Sequence, residues 1–301
     1  MTQPPGVKVV EEVSLHEPAL LVMLAGWVDA AGVATSAAQS LENTGRFRTI
    51  ATFEPDLFID FRARRPVMQL REGVSERLIW PEIELKAGTD DAGRDVLLLT
   101  GFEPDANWTF FSRAVADVCT AHGTRIMVGM GAYPFATPHT RPSRLSCTTP
   151  SAPLARSVRY LRNTLDVPAG IEAVLEHAFH ARGIPAIGLW VQVPHYISTS
   201  TYPAATAALL AGVAETAGLT FDISHLTSLA ASQQSRLDEL VENNPEHIAM
   251  IRQMEAAYDV ADETSAAIVD PSVVHRLDPS DIPSGDELAA EVEQFLREQE
   301  G

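Results

Sequence analysis

The chain has 301 residues, about twice the usual length of a single domain, so one large α/β domain or one such domain with an appendage both fit. With 22 Lys and Arg against 40 Asp and Glu, its net charge is −18 and 46% of its residues are hydrophobic, a globular composition without the basic face that nucleic acid or an anionic membrane surface requires. Its two cysteines, Cys119 and Cys147, make neither a disulfide framework nor a zinc site, so a reducing cytoplasm is expected.

The N-terminus, MTQPPGVKVVEEV, has no apolar h-region and carries early acids, so no signal peptide is expected. In chain order, the apolar runs and 3.6-residue patterns then predict a strand over Ala19–Val28, a helix over Ala31–Asn43 and a strand over Thr49–Phe53. Between Pro66 and Lys86 the apolar positions Val67, Met68, Leu70, Leu78, Ile79, Trp80, Ile83 and Leu85 fall around Gly73 and predict an antiparallel excursion. A strand over Val96–Thr100, a helix over Ala106–His122, and a strand over Arg125–Gly129 come next. A helix over Ile171–Arg182, a strand over Ala186–Val193 and a helix over Tyr202–Ala217 complete this series. Gly45, Gly123, Gly183 and Gly218 stand where these helices should stop. The run from Gly183 to Ala214 has no Asp, Glu, Lys or Arg, but Pro185, Gln192, Pro194, the Ser198–Thr201 cluster and Pro203 interrupt it. A buried strand, a loop and a packed helix are expected there, not a membrane span.

After Asp222, two helical patterns are broken at Asn243-Asn244-Pro245 and predict a small helical lobe over 223–260. Residues 261–301 hold eleven acids and two arginines, half of the net charge. A capping box at Ser284 to Glu287, with Leu288, Val292, Phe295 and Leu296 on one face, predicts an amphipathic terminal helix on an acidic linker. Strands that alternate with helices predict an α/β sandwich with a mainly parallel sheet over 1–222.

In such sheets ligands bind beyond the carboxyl ends of the strands, and the residues there are polar: Trp27 and Asp29, Glu103 and Asp105, His139 and Arg141, His195 and Tyr196. Asp29 and Asp105 suit helix N-caps and Glu103 a solvated turn, while in a reactive cleft Asp29 or Glu103 would orient a histidine base. His139 and His195 suit ligands, general bases or plain hydrogen-bonding loop residues. No G-x-G-x-x-G loop, G-x-S-x-G elbow or metal-binding spacing is present, so neither a cofactor nor a metal is expected. Cys147 has no signature of an activated thiol. Asp56, Asp60, Arg62, Arg64 and Arg65 form a dense mixed-charge segment, able to bridge subunits, hold an anion or make a salt-bridged surface turn.

Taken together, Gly26-Trp-Val-Asp-Ala30, Asp56-Leu-Phe-Ile-Asp-Phe-Arg62 with Arg65-Pro66, Thr100-Gly-Phe-Glu-Pro-Asp105 with Trp108, Pro138-His-Thr-Arg-Pro142 and Pro194-His-Tyr196 resemble the proteasome assembly chaperone 2 family, more narrowly its actinobacterial branch. The resemblance covers about residues 15–260. It implies a phosphorylase/hydrolase-like αβα sandwich with a small helical subdomain and homo-oligomers, trimers in this branch. Eukaryotic relatives are assembly factors for the proteasome core, so the resemblance implies a non-enzymatic assembly chaperone or scaffold. A small-molecule binder or hydrolase/phosphorylase-like enzyme is the alternative, using a cleft of Trp27, Asp29, Glu103, His139, Arg141, His195 and Tyr196. One departure concerns docking to the proteasome: members of that group often end in hydrophobic-Tyr-any, whereas this chain ends Arg297-Glu-Gln-Glu-Gly301.

Overall fold

Polar alternation is missing from the apolar runs because helices cover both faces of the sheet they build. The computed structural model describes residues 4–242 and 244–267. Its strands are β1 (Val7–Val9), β2 (Ala19–Ala25), β3 (Arg48–Phe53), β4 (Val67–Arg71), β5 (Val74–Ile79), β6 (Ile83–Thr89), β7 (Asp95–Phe102), β8 (Ile126–Phe135), β9 (Leu145–Thr148) and β10 (Ala186–Pro194). The helices are α1 (Val33–Glu42), α2 (Pro55–Phe58), α3 (Trp108–Ala121), α4 (Ala152–Ser157), α5 (Ile171–His180), α6 (Pro203–Ala217), α7 (Ser224–Glu242) and α8 (Pro245–Ala267).

Eight strands form one sheet in the order β1-β3-β6-β7-β2-β8-β10-β9, and β4 and β5 form a separate hairpin. The centre, β7-β2-β8-β10, is parallel. The flanking pairs β1-β3, β3-β6, β6-β7 and β9-β10 are antiparallel, so the sheet as a whole is mixed. Since β6 reverses between β7 and β3, β3 runs in the same direction as the centre. All five strands expected from the apolar runs therefore end on one edge of the sheet.

Alternate residues of β2 serve opposite layers. Leu21 and Met23 pack with Ala37 and Leu41 of α1 and Leu209 and Val213 of α6. Leu20, Val22 and Leu24 pack with Phe111 and Val115 of α3 and Leu175 and Phe179 of α5. The result is an αβα sandwich. Burying a side chain such as Phe111, whose ring lies 5.0 Å from Phe53 and 5.2 Å from Phe58, stabilises by about 1.5–3 kcal/mol.

Several local expectations change. Ile83 and Leu85 do not continue the hairpin excursion; they open β6 and are buried in the main sheet. The short edge strands β1 and β9 and the single-turn α4 carry too few apolar residues to stand out by periodicity. The charge-free run becomes β10, a turn and α6, and among the described residues no helix is long and apolar enough to cross a membrane. At the Asn-Asn-Pro break, the Asn244 side-chain oxygen accepts the backbone N–H of Glu246 at 2.9 Å and starts α8. Residues 1–258, including α7, form one compact unit and 259–301 a second. Residues 261–267 are helical, and the amphipathic helix expected from Ser284 onward lies outside the described residues.

Candidate functional site

β2 and β8 pair from Ala19–Ile126 to Val22–Gly129, part, and meet again only at a bridge between Asp29 and Ala132. β2 leads to α1 on one face and β7 to α3 on the other, so the parting lies at the switch point where open α/β sheets bind ligands. A cavity of about 630 Å³ opens there, reached by side chains from both layers. Met23, Leu24 and Met130 supply apolar wall; Trp27, Tyr133 and Trp190 supply aromatic wall.

Three carboxyl groups, Asp29, Glu103 and Glu172, line this cavity, with Glu176 one turn along α5 from Glu172; all but Glu172 are held by donors. Asp29 accepts the backbone N–H groups of Ala34 (2.7 Å) and Thr35 (3.0 Å) and the Thr35 hydroxyl (2.7 Å), which anchors the start of α1. Glu103 is buried and its Oε1 accepts the Ile171 N–H at 2.6 Å, capping α5 from a distant segment. Glu176 Oε1 accepts the Thr148 hydroxyl at 2.7 Å. Glu172 is 8% exposed and its Oε2 has no hydrogen-bond partner among the described residues.

Glu172 and Glu176 stand one turn apart on α5 and lie over two glycines that face each other in register, Gly129 of β8 and Gly188 of β10. A Cβ at Gly129 would fall 2.8 Å from Glu172 Oε2, and one at Gly188 would fall 2.6 Å from Glu176 Oε1. The missing side chains make the room the carboxyls occupy. Burial pushes the Glu172 carboxyl well above the usual range, with the charges of Glu176, Glu103 and Asp29 adding to it. Burial also raises Glu176 to about 7, against the pull of the Thr148 hydrogen bond. The Cys147 thiol, also at the cavity, is pushed up by burial, so it is not an activated nucleophile.

A second polar group lies elsewhere, where the β8–β9 loop meets α7 and α8. His139 is buried; its backbone N–H donates to the Tyr196 oxygen at 2.8 Å, its Nδ1 lies 2.7 Å from the same oxygen, and its Nε2 lies 3.2 Å from Asp238 of α7. Tyr196 donating to Nδ1 and Nε2–H donating to Asp238 satisfies all three groups. Thr140 donates to Glu255 of α8 at 2.5 Å and Arg141 pairs with it at 3.1 Å, while the Arg144 guanidinium stacks 3.5 Å from the Tyr258 ring centroid. Burial holds the Tyr196 phenol above its ordinary pKa.

The seven cleft residues thus do not converge. Trp27, Asp29 and Glu103 line the cavity; His139, Arg141 and Tyr196 brace the helices; His195 is exposed, 5.4 Å edge-on from the Tyr196 ring, and lines no part of the cavity. Asp105 is not the N-cap of α3 either. It accepts the Asp60 N–H at 2.8 Å and pairs with Arg64, while Asn107 precedes the helix with a positive φ. Glu172, Glu176, Tyr133 and Trp190 escaped the sequence reading. The available signal was the spacing of Glu172, Glu176 and Phe179, which sets two acids on the stripe that ends in a buried phenylalanine.

Outside the cavity, the β4–β5 hairpin exposes apolar side chains on both faces. Val67 pairs with Ile79 and Met68 with Leu78, and each of the four is at least 41% exposed. Trp80 leans edge-on against Phe61 at 4.8 Å. Asp56, Arg62 and Arg65, at the base of the hairpin, are exposed and form no ion pair among the described residues; Asp60 accepts the Arg62 N–H at 2.8 Å.

Residues 23–241 match the model of the PAC2 family. A protein of unknown function from Corynebacterium glutamicum has the same fold at 30% identity and a TM-score of 0.78, with 86% of this chain and 99% of that one covered. A protein of unknown function from Mycobacterium tuberculosis matches at 31% identity and 0.77, over 87% and 92%. A proteasome-assembly chaperone homologue from the same organism matches at 29% and 0.71, over 77% and 99%. No curated protein matches in sequence.

Proposed function

The chain belongs to the PAC2 family, and from that premise we propose that it is a non-enzymatic, assembly-chaperone-like protein that acts as a homo-oligomer, with three subunits as the expected number. The observation that carries this reading is the hairpin. Two strands alone are marginal in water, and these expose apolar residues on both faces, a surface that fits burial against protein. A second copy is the favoured cover. Residues 54–82 hold six acids and five arginines, so this strip is nearly neutral in a chain of net charge −18. Two copies meet there with the least repulsion, and Asp56 and Asp60 of one copy suit Arg62 and Arg65 of the next.

A non-enzymatic role is supported by what the acid and base candidates already do. Asp29 and Glu103 hold helix starts, and His139 spans Tyr196 and Asp238. The proteasome core is proposed as the client on the strength of the likeness to the mycobacterial proteasome-assembly chaperone homologue. The proposed compartment is the cytoplasm, which both free cysteines support.

Light scattering on the purified chain tests the oligomer. A mass near three times 32.6 kDa is expected, and Met68→Asp with Ile79→Asp should return single chains. A single-chain mass for the unmodified protein refutes it. Mixing the protein with unassembled core-particle subunits tests the client, with faster formation of half-cores expected and an unchanged rate counting against it.

A further inference from the structure

We propose that the cavity between β2 and β8 binds a primary organic amine, with the ammonium group donating to Glu172 and the hydrocarbon body lying against Trp27, Trp190 and the methionine wall. The site is independent of the oligomer reading. Its volume of about 630 Å³ suits a small organic molecule, and its wall is mostly apolar with a few convergent polar groups.

The charge of the ligand follows from the acids. Asp29, Glu103 and Glu176 accept protein hydrogen bonds, whereas Glu172 lines the cavity with its buried Oε2 lacking a donor among the described residues. A buried acceptor without a donor pays its desolvation unrelieved, which a bound donor offsets. Among the described residues no Lys, Arg or His lines the cavity. Arg64, which approaches Gly26, is paired with Asp105. An anionic ligand would meet three carboxyl groups, Asp29, Glu103 and Glu172, and no lining cation to balance them. A cation meets complementary charge and aromatic surface together, a combination that favours ammonium heads. A quaternary ammonium has no N–H to give Glu172, so a primary amine satisfies the open acceptor and a quaternary one does not.

The proton balance is explicit. Burial favours the protonated form of Glu172 in the empty cavity; an arriving ammonium favours the carboxylate, and any proton displaced goes to solvent while the amine keeps its own. The groups facing Glu172 are Glu176 on its own helix, Glu103 beyond β7 and Asp29 beyond β2, all acids, so each reinforces this direction.

Titration calorimetry on the intact protein with 2-phenylethylamine, 2-phenylethanol and phenylacetate tests the proposal. The amine should bind at least about tenfold more tightly than the alcohol or the acid, and its heat should depend on the ionisation enthalpy of the buffer, reporting proton release. Glu172→Gln, which keeps size and shape, should weaken the amine at least about tenfold and abolish the buffer dependence. Trp190→Leu, which leaves every carboxyl in place, should weaken it as well and serves if Glu172→Gln does not fold. Equal or tighter binding of alcohol or acid, no binding of the amine at about 1 mM, or unchanged affinity in both variants overturns the proposal.

Discussion

At one edge of a single sheet, two polar groups are built in opposite ways. Around His139 the ionisable side chains and Thr140 have partners: phenol to imidazole, imidazole to Asp238, hydroxyl and guanidinium to Glu255. Glu172 lines a cavity whose wall is mainly apolar, and its buried Oε2 has no partner among the described residues. A satisfied network fixes neighbouring elements in place, here the β8–β9 loop against α7 and α8. An unsatisfied buried acid costs stability, and a fold tolerates that cost where something else makes use of the group. Both regions follow strands that point the same way, so position at the sheet edge alone does not separate architecture from function; hydrogen-bond satisfaction does.

The largest expected effect is on the acid pair. Glu176 has a folded-state pKa of about 7 against an ordinary 4.5, and burial raises that of Glu172 as well. A carboxyl raised on folding is protonated in both states at low pH; above its ordinary pKa the unfolded chain releases the proton first, and stability falls until the folded pKa is passed. For Glu176 alone this amounts to about 3 kcal/mol between pH of about 5 and about 8. Urea denaturation across that range should show the loss, and Glu176→Gln should flatten the curve and exceed the unmodified protein at the alkaline end. A rise in stability over the same range would mean that the acids are paired and the contrast between the two regions is void.

His139→Ala comes next. It strips the half-buried Tyr196 phenol and Asp238 of their shared partner at a cost of about 2 kcal/mol, or a melting temperature about 4–8 °C lower. Tyr196→Phe should reproduce part of it. A change of less than about 1 °C would place the network among surface contacts.

Much of the fold was legible because its signals are local. The runs of β2, β7, β8 and β10 are apolar on both faces, and the glycines closing α1, α3, α5 and α6 take positive φ as helix stops do. The direction of β3 relative to β2 was legible too, but β6, which lies between β3 and β7, was not, since Ile83 and Leu85 follow the hairpin without a break in pattern. The site was half legible. That Trp27, Asp29 and Glu103 leave the same sheet edge follows from topology, whereas the removal of His139 and Arg141 from it depends on Asp238 and Glu255, about a hundred residues away. Glu172 reads as one acid in an amphipathic helix until the glycines beneath it on β8 and β10 are known.

Asp29→Ala sharpens the division within the cavity itself. Its carboxylate carries three hydrogen bonds at the start of α1, so its loss should cost about 1 kcal/mol, as for other helix-start acids. A loss of stability of that size, with no shift in the pH curve set by Glu176, would assign Asp29 to architecture though it lines the cavity.

The smallest effect is expected at Gly129, and it distinguishes two kinds of tight glycine. At Gly101, where φ is +130°, an added Cβ would meet the backbone: the Glu82 carbonyl oxygen at 2.3 Å and the Ile83 Cα at 2.8 Å. Neither can move without breaking the β6–β7 pairing. At Gly129 the obstacle at 2.8 Å is the far end of the Glu172 side chain, on the cavity side, and β8 has ordinary strand geometry there. Gly129→Ala should therefore turn the Glu172 carboxyl toward the open space and cost less than about 1 kcal/mol, since strand propensity gains from the added methyl. Better hydration of the carboxyl should then lower the Glu172 pKa, seen by carboxyl-selective NMR titration, while Gly101→Ala should destabilise the sheet without that signature. If Gly129→Ala proves as costly as Gly101→Ala, the Glu172 carboxyl has nowhere to go, and the space beside it is too narrow to receive a ligand.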